Sequence, residues 1–160
     1  MQTNEHADRA AMNEELLRLV EQSLWANRRW ADLVYAQPEE DVRPRELLGH
    51  IMVTERVWFE RIEGAQKSSR MFPVLSKEEL LRGFEENRLI FQTLIASRLS
   101  DVIHFRRGSG EEYHARVIDI VQHLLTHGYH HRGQLAALFA RTGIPYPSTD
   151  HIDFLMENRL

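Results

Sequence analysis

Proline and glycine gather at a few places in this 160-residue chain, and the long stretches between them carry apolar residues at helical spacing. That pattern limits the fold more than any other feature. Leu16, Leu17, Val20, Leu24, Trp30, Ala31 and Val34 predict a first helix from about Asp8 to Ala36, ended by QPEEDVRP. A second runs from about Pro44 to Ile62, with proline in the first turn, where its missing N–H is not needed. Leu47, His50, Ile51, Thr54, Val57 and Trp58 form its stripe. After the loop GAQKSSRMFP, Ser76 and Glu79 have the spacing of a capping box. Leu80, Phe84, Leu89, Phe91 and Leu94 then carry a third helix to about Leu99. A fourth spans about Val117 to Thr142 and stops at Gly143, with Pro145 and Pro147 beyond it.

The stretch VIHFRRGSGEEYHARV breaks the helical pattern. Two short alternating runs flank Gly108-Ser109-Gly110 and predict a β-hairpin; the alternative is an irregular loop. The tail STDHIDFLMENRL predicts a short turn or helix folded back. The expectation is therefore an all-α fold, a four-helix bundle with a small hairpin between helices three and four. With no repeat or linker, one domain over residues 1–160 is expected.

A chain this long buries roughly 70% of its unfolded surface, so its core needs no covalent staple. It has no cysteine, which removes thiolate nucleophiles, iron–sulfur clusters and cysteine zinc sites. Its 20 Lys and Arg against 24 Asp and Glu give a net charge of −4, and the basic residues are scattered. That balance argues against a nucleic-acid partner. The charged N-terminal stretch lacks the apolar run of a signal peptide, and no run suits a membrane span, so a cytoplasmic location is expected.

Four of the nine histidines fall in HLLTHGYHHRGQL, within the predicted fourth helix. Residues four apart on a helix project from one face, so His127 with His131 could put two imidazole nitrogens on one metal ion. His127 with His130 and His123 with His127 also have chelating spacing. At about 100° per residue, the bisector of His127 and His131 points closest to the apolar face. His130 and His123 lean toward solvent or the next helix. A third donor has to come from elsewhere, and His50, in the middle of the second helix's apolar stripe, is the candidate. Three histidines leave a tetrahedral ion one open position, the catalytic rather than the structural pattern. A hydrogen-bonded core histidine and a chance HxxxH are the plainer readings of the same residues.

Other chemistries fit less well. Gly128 follows His127, so the sequence is not HExxH, and the one ExxH, Glu111 to His114, lies in the predicted hairpin. His104 and His114 could face each other there as surface residues. Arg132 falls inside the apolar arc and either snorkels or binds a carboxylate, with Glu46, Glu55 and Glu60 as possible partners. No general base stands out; Gln134, Tyr129, His130 and His123 are nearby candidates, so the catalytic residues are unknown.

The segments WANRRW, ELLGHIMVTERVWFERI and THGYHHRGQLAALFARTGIPYPSTDHIDFL together resemble the DinB-like (damage-inducible) family of bacterial helical bundles. The resemblance covers nearly the whole chain. It implies a four-helix bundle, a homodimer, and a divalent metal ion, often zinc or nickel, on three histidines. Carried over by motif, these are His50, His127 and His131, with His131 preferred over His130. Relatives include the mycothiol-dependent maleylpyruvate isomerase and bacillithiol S-transferase, in which metal coordination would activate a low-molecular-weight thiol. The expected function is a metal-dependent enzyme acting on a small-molecule substrate, its open position binding a thiol or water that attacks a small electrophile, as in a thiol S-transferase or a hydrolase. The alternative is a non-catalytic metal-binding stress-response bundle, whose coordination sphere would be closed by a fourth protein group.

Overall fold

The computed structural model describes residues 2–65, 69–106 and 109–158, with side chains from residue 6 onward. Five helices and one hairpin follow in order: α1 Gln2–Tyr35, α2 Val42–Ile62, α3 Lys77–Ser97, β1 Val102–Arg106, β2 Glu112–Arg116, α4 Val117–Thr142 and α5 His151–Asn158. The four long helices form the expected bundle, and the hairpin sits in the connection between α3 and α4.

The local chemistry explains most boundaries. Ser76 Oγ accepts the Glu79 N–H at 3.2 Å while the Glu79 carboxylate accepts the Ser76 N–H at 2.9 Å, so α3 starts on a complete capping box. Gly143 ends α4 with φ of 72°, a left-handed turn that a side chain would strain. Two starts come earlier than expected. α1 begins at Gln2 because the polar residues before Asp8 hold no proline or glycine to stop it. α2 begins at Val42, which puts Pro44 third in the helix, still among the N–H groups without helical acceptors.

The hairpin strands pair antiparallel with His104 opposite His114 and Phe105 opposite Tyr113. Ile103 is buried, and the Phe105 ring meets the Trp58 ring of α2 edge-on at 5.1 Å. The predicted turn includes Gly108, which lies outside the described residues. His104 and His114 do face each other, ring centres 6.0 Å apart, and both are exposed. The tail forms α5, whose Phe154 packs on Trp25 of α1.

The apolar core is in two parts. One is built around Leu16, Val20, Phe59, Phe91, Ile95, Val121 and Leu124; the other around Trp30, Leu47, Ile51, Leu80, Phe84, Leu135 and Phe139. At the junction each long helix contributes buried polar residues: Ser23 and Asn27 from α1, Thr54 and Glu55 from α2, Asn87 from α3, His131 and Arg132 from α4. No helix among the described residues is long and apolar enough to cross a membrane.

Candidate metal centre

α2 packs against α4, and this brings His50 beside His127 and His131. One donor nitrogen from each lies within 4.8 Å of the others. The ring centres are 4.4 Å apart for His127 and His131, 4.6 Å for His50 and His131, and 5.0 Å for His50 and His127. The Nε2 atoms of His127 and His131 are 3.0 Å apart. Two nitrogens each about 2.1 Å from one ion are separated by about 3.0–3.4 Å, so this spacing suits a shared ligand role.

Two of the rings are held by their outer nitrogens. The Nδ1–H of His50 donates to the Met71 carbonyl at 2.8 Å, and the Nδ1–H of His131 donates to Gln134 Oε1 at 2.9 Å. Because those acceptors are oxygens, each Nδ1 carries the proton and each Nε2 keeps its lone pair. Gln134 is oriented in turn, its Nε2 donating to His130 Nε2 at 3.0 Å. His127 has no such anchor; its Nδ1 is buried without a hydrogen-bond partner among the described residues.

The electrostatics favour neutral rings. Burial lowers the pKa of all three histidines below 6.5, most for His127, which falls to about 3 because His131 and His50 add to the effect. Burial on His131 is partly opposed by the Gln134 hydrogen bond. At neutral pH the three imidazoles are therefore free bases, the form a metal requires.

A strap of chain over α2 completes the surroundings. Phe72 lies face to face on His50, ring centres 4.0 Å apart and planes within 6°. Tyr35 Oη of α1 donates to the Leu75 carbonyl at 2.6 Å and ties the strap down. Gly49 lets it approach, since a Cβ there would stand 2.1 Å from the Pro73 carbonyl oxygen. Sequence reasoning missed Met71, Phe72 and Gly49. A mid-helix glycine directly before a candidate ligand was the available signal, because glycine there needs a packing reason.

The other candidates separate. His130 touches the site through Gln134, while His123 stands one turn before His127, ring centres 5.8 Å apart, with Trp58 on its edge. Tyr129 points away; its hydroxyl donates to Gln22 Oε1 of α1 at 2.8 Å. Arg132 is buried but makes no ion pair with a carboxylate among the described residues. Its Nη1 donates to Asn27 Oδ1 at 2.9 Å and Ser23 Oγ at 3.3 Å, and of the carboxylates considered Glu55 acts on it at longer range. Gly128 leaves room for that guanidinium, since a Cβ there would lie 2.9 Å from Arg132 Nη1.

The donor set is chemically coherent. Three neutral imidazoles could hold zinc, nickel, copper or iron, and no carboxylate joins the cluster among the described residues. No protein of curated function matches this sequence. The sequence profile of the DinB family matches residues 12–159, nearly the whole chain including all three histidines, and the protein therefore belongs to the DinB family.

Proposed function

We propose that this protein is a divalent-metal-dependent enzyme that joins a low-molecular-weight thiol to small electrophiles. The observation that carries the reading is the convergence of three neutral imidazoles with no carboxylate among them. His50, His127 and His131 would hold the ion, with zinc or nickel the expected metals. When bound, such an ion lowers the pKa of a coordinated thiol or water, giving a nucleophile at neutral pH.

The chain's own residues have separable tasks. Met71 and Gln134 fix two of the rings with their Nε2 lone pairs inward. Phe72 covers one face of His50 and keeps water off it. His123 is the nearest imidazole not engaged by Gln134 or the strap; burial lowers its pKa, so it is neutral at neutral pH and able to accept a proton. A purely structural site would need a fourth protein donor, and none joins the three among the described residues.

Elemental analysis of untagged protein tests the metal. About one ion per chain is expected, lost in His50→Ala. The loaded protein is then assayed for transfer of cellular thiols to model electrophiles. Metal binding without any transfer would support the non-catalytic alternative, and no bound metal in the native sequence would end both.

A further inference from the structure

A positive charge on α2 reaches the three-histidine cluster. The chain has a net charge of −4, yet no carboxylate joins the cluster of His50, His127 and His131 among the described residues. The formal charge that reaches His50 and His131 is that of Arg43. Arg43 lies on α2 seven residues before His50, two turns away on the same face. Its guanidinium carbon stands 5.3 Å from the centre of the Phe72 ring, the ring that stacks on His50. Arg43 is exposed, and its ion pair with Glu46, at 3.3 Å, is of the solvent-facing kind that an incoming ligand displaces at little cost.

We propose that the thiol taken by this site carries a carboxylate: sulfur goes to the metal, and the carboxylate pairs with Arg43 beside Phe72. The proposal rests on the metal-dependent reading above and narrows it to an anionic thiol. A dication on three neutral imidazoles has no protein counter-charge, so an anionic fourth ligand is favoured over a neutral one. Arg43 then offers a planar pair of N–H donors that matches a carboxylate, a few bonds from the sulfur. Glu46 opposes this by holding the same guanidinium.

Cobalt(II)-loaded protein gives a direct readout. The chain has no cysteine, so sulfur-to-cobalt charge-transfer absorption reports the added thiol alone. The probes are 3-mercaptopropionate and its neutral counterpart 2-mercaptoethanol. The ratio of their affinities should fall about five-fold in Arg43→Gln, while 2-mercaptoethanol itself binds as before. Arg43→Lys should keep part of the preference, and Glu46→Gln should tighten 3-mercaptopropionate by freeing the guanidinium. The cobalt spectrum without thiol confirms that each variant is folded and loaded. An unchanged ratio in Arg43→Gln would overturn this inference alone. Absence of the sulfur band with either thiol would overturn the thiol reading and this inference together.

Discussion

Two polar centres interrupt the apolar core at the same level of the bundle, and they are built on opposite plans. The histidine cluster joins α2 and α4, is half open, and gathers three imidazoles, two of them held with their Nε2 lone pairs turned inward. The second centre draws on all four long helices, through Ser23, Asn27, Glu55, Asn87 and Arg132, and is sealed. There donors meet acceptors: Arg132 binds Asn27 and Ser23, and Asn87 Nδ2 binds the Met52 carbonyl at 2.9 Å and the Glu55 carboxylate at 2.8 Å. Its buried atoms without partners are of both kinds, Arg132 Nε and Nη2 as donors and Asn87 Oδ1 as acceptor. Burying polar groups costs stability in either place. The first arrangement gathers groups of one kind; the second already pairs donors with acceptors across the helices. A buried polar cluster becomes a candidate site when its unused groups are alike and converge.

The largest expected effect separates the two centres. His127→Ala leaves two donors and should lower metal affinity at least 100-fold. Metal at a thousand-fold excess over the native Kd should raise the stability of the native protein by about 4 kcal/mol, on the order of 10 °C in Tm, and at the same metal concentration that gain should fall to about 1.4 kcal/mol or less in the variant. Asn87→Ala should do the reverse. It removes two buried hydrogen bonds and should cost about 1–3 kcal/mol without metal, while metal affinity stays within about two-fold. Calorimetric titration and thermal melts with and without metal read both quantities. If Asn87→Ala weakened metal binding as much as His127→Ala, the two centres would be one coupled site.

The pH dependence sharpens the contrast, because the centres titrate in opposite directions. Burial raises the Glu55 pKa from 4.5 to about 7, against the Asn87 hydrogen bond and the charge of Arg132. The folded state therefore holds a proton that the unfolded chain releases earlier. That contribution is fully present below pH 4.5 and is lost as pH rises through 7. The histidine pKa values are lowered from 6.5, so their contribution is fully present above 6.5 and is lost as pH falls, down to about 3 for His127. In metal-free protein, Glu55→Gln should match the native chain at about pH 4 and exceed it at about pH 8 by about 3 kcal/mol. Urea midpoints at the two pH values decide the matter. An equal difference at both would mean that Glu55 is not the group that titrates.

The sequence is clear about one kind of information and silent about another. The α4 boundaries and the hairpin follow from local pattern, the first from helical spacing up to Gly143 and the second from alternation around a glycine turn. His50 was legible because it sits in the middle of a predicted apolar stripe, His127 and His131 because they line the edge of another, and the family motif chose His131 over His130. The Met71 carbonyl was not legible, since a backbone oxygen has no sequence signature and it reaches His50 from 21 residues away. Arg132 was expected either to snorkel or to bind a carboxylate, and instead it is buried and binds an amide and a hydroxyl of α1. A helical wheel places a residue on a face but does not say which helix that face meets.

The smallest expected effect tests how far the histidine centre extends. Gly49→Ala touches no candidate ligand, but its Cβ would collide with the Pro73 carbonyl and lift the strap. His50 would then lose both the Met71 acceptor and the Phe72 ring. Loss of such an outer partner should lower metal affinity about 10-fold. Gly133→Ala is the matched control. It lies in α4 between His131 and Gln134, and a Cβ there meets no atom within 4 Å. It should stabilise the helix by up to about 1 kcal/mol and leave metal affinity unchanged. Both variants trade glycine for alanine inside a helix, so helix propensity cancels between them and the difference in affinity isolates the strap. Equal affinities would confine the centre to the three imidazoles and Gln134. A deficit in Gly49→Ala alone would make the strap, a segment with no metal donor of its own, a working part of the site.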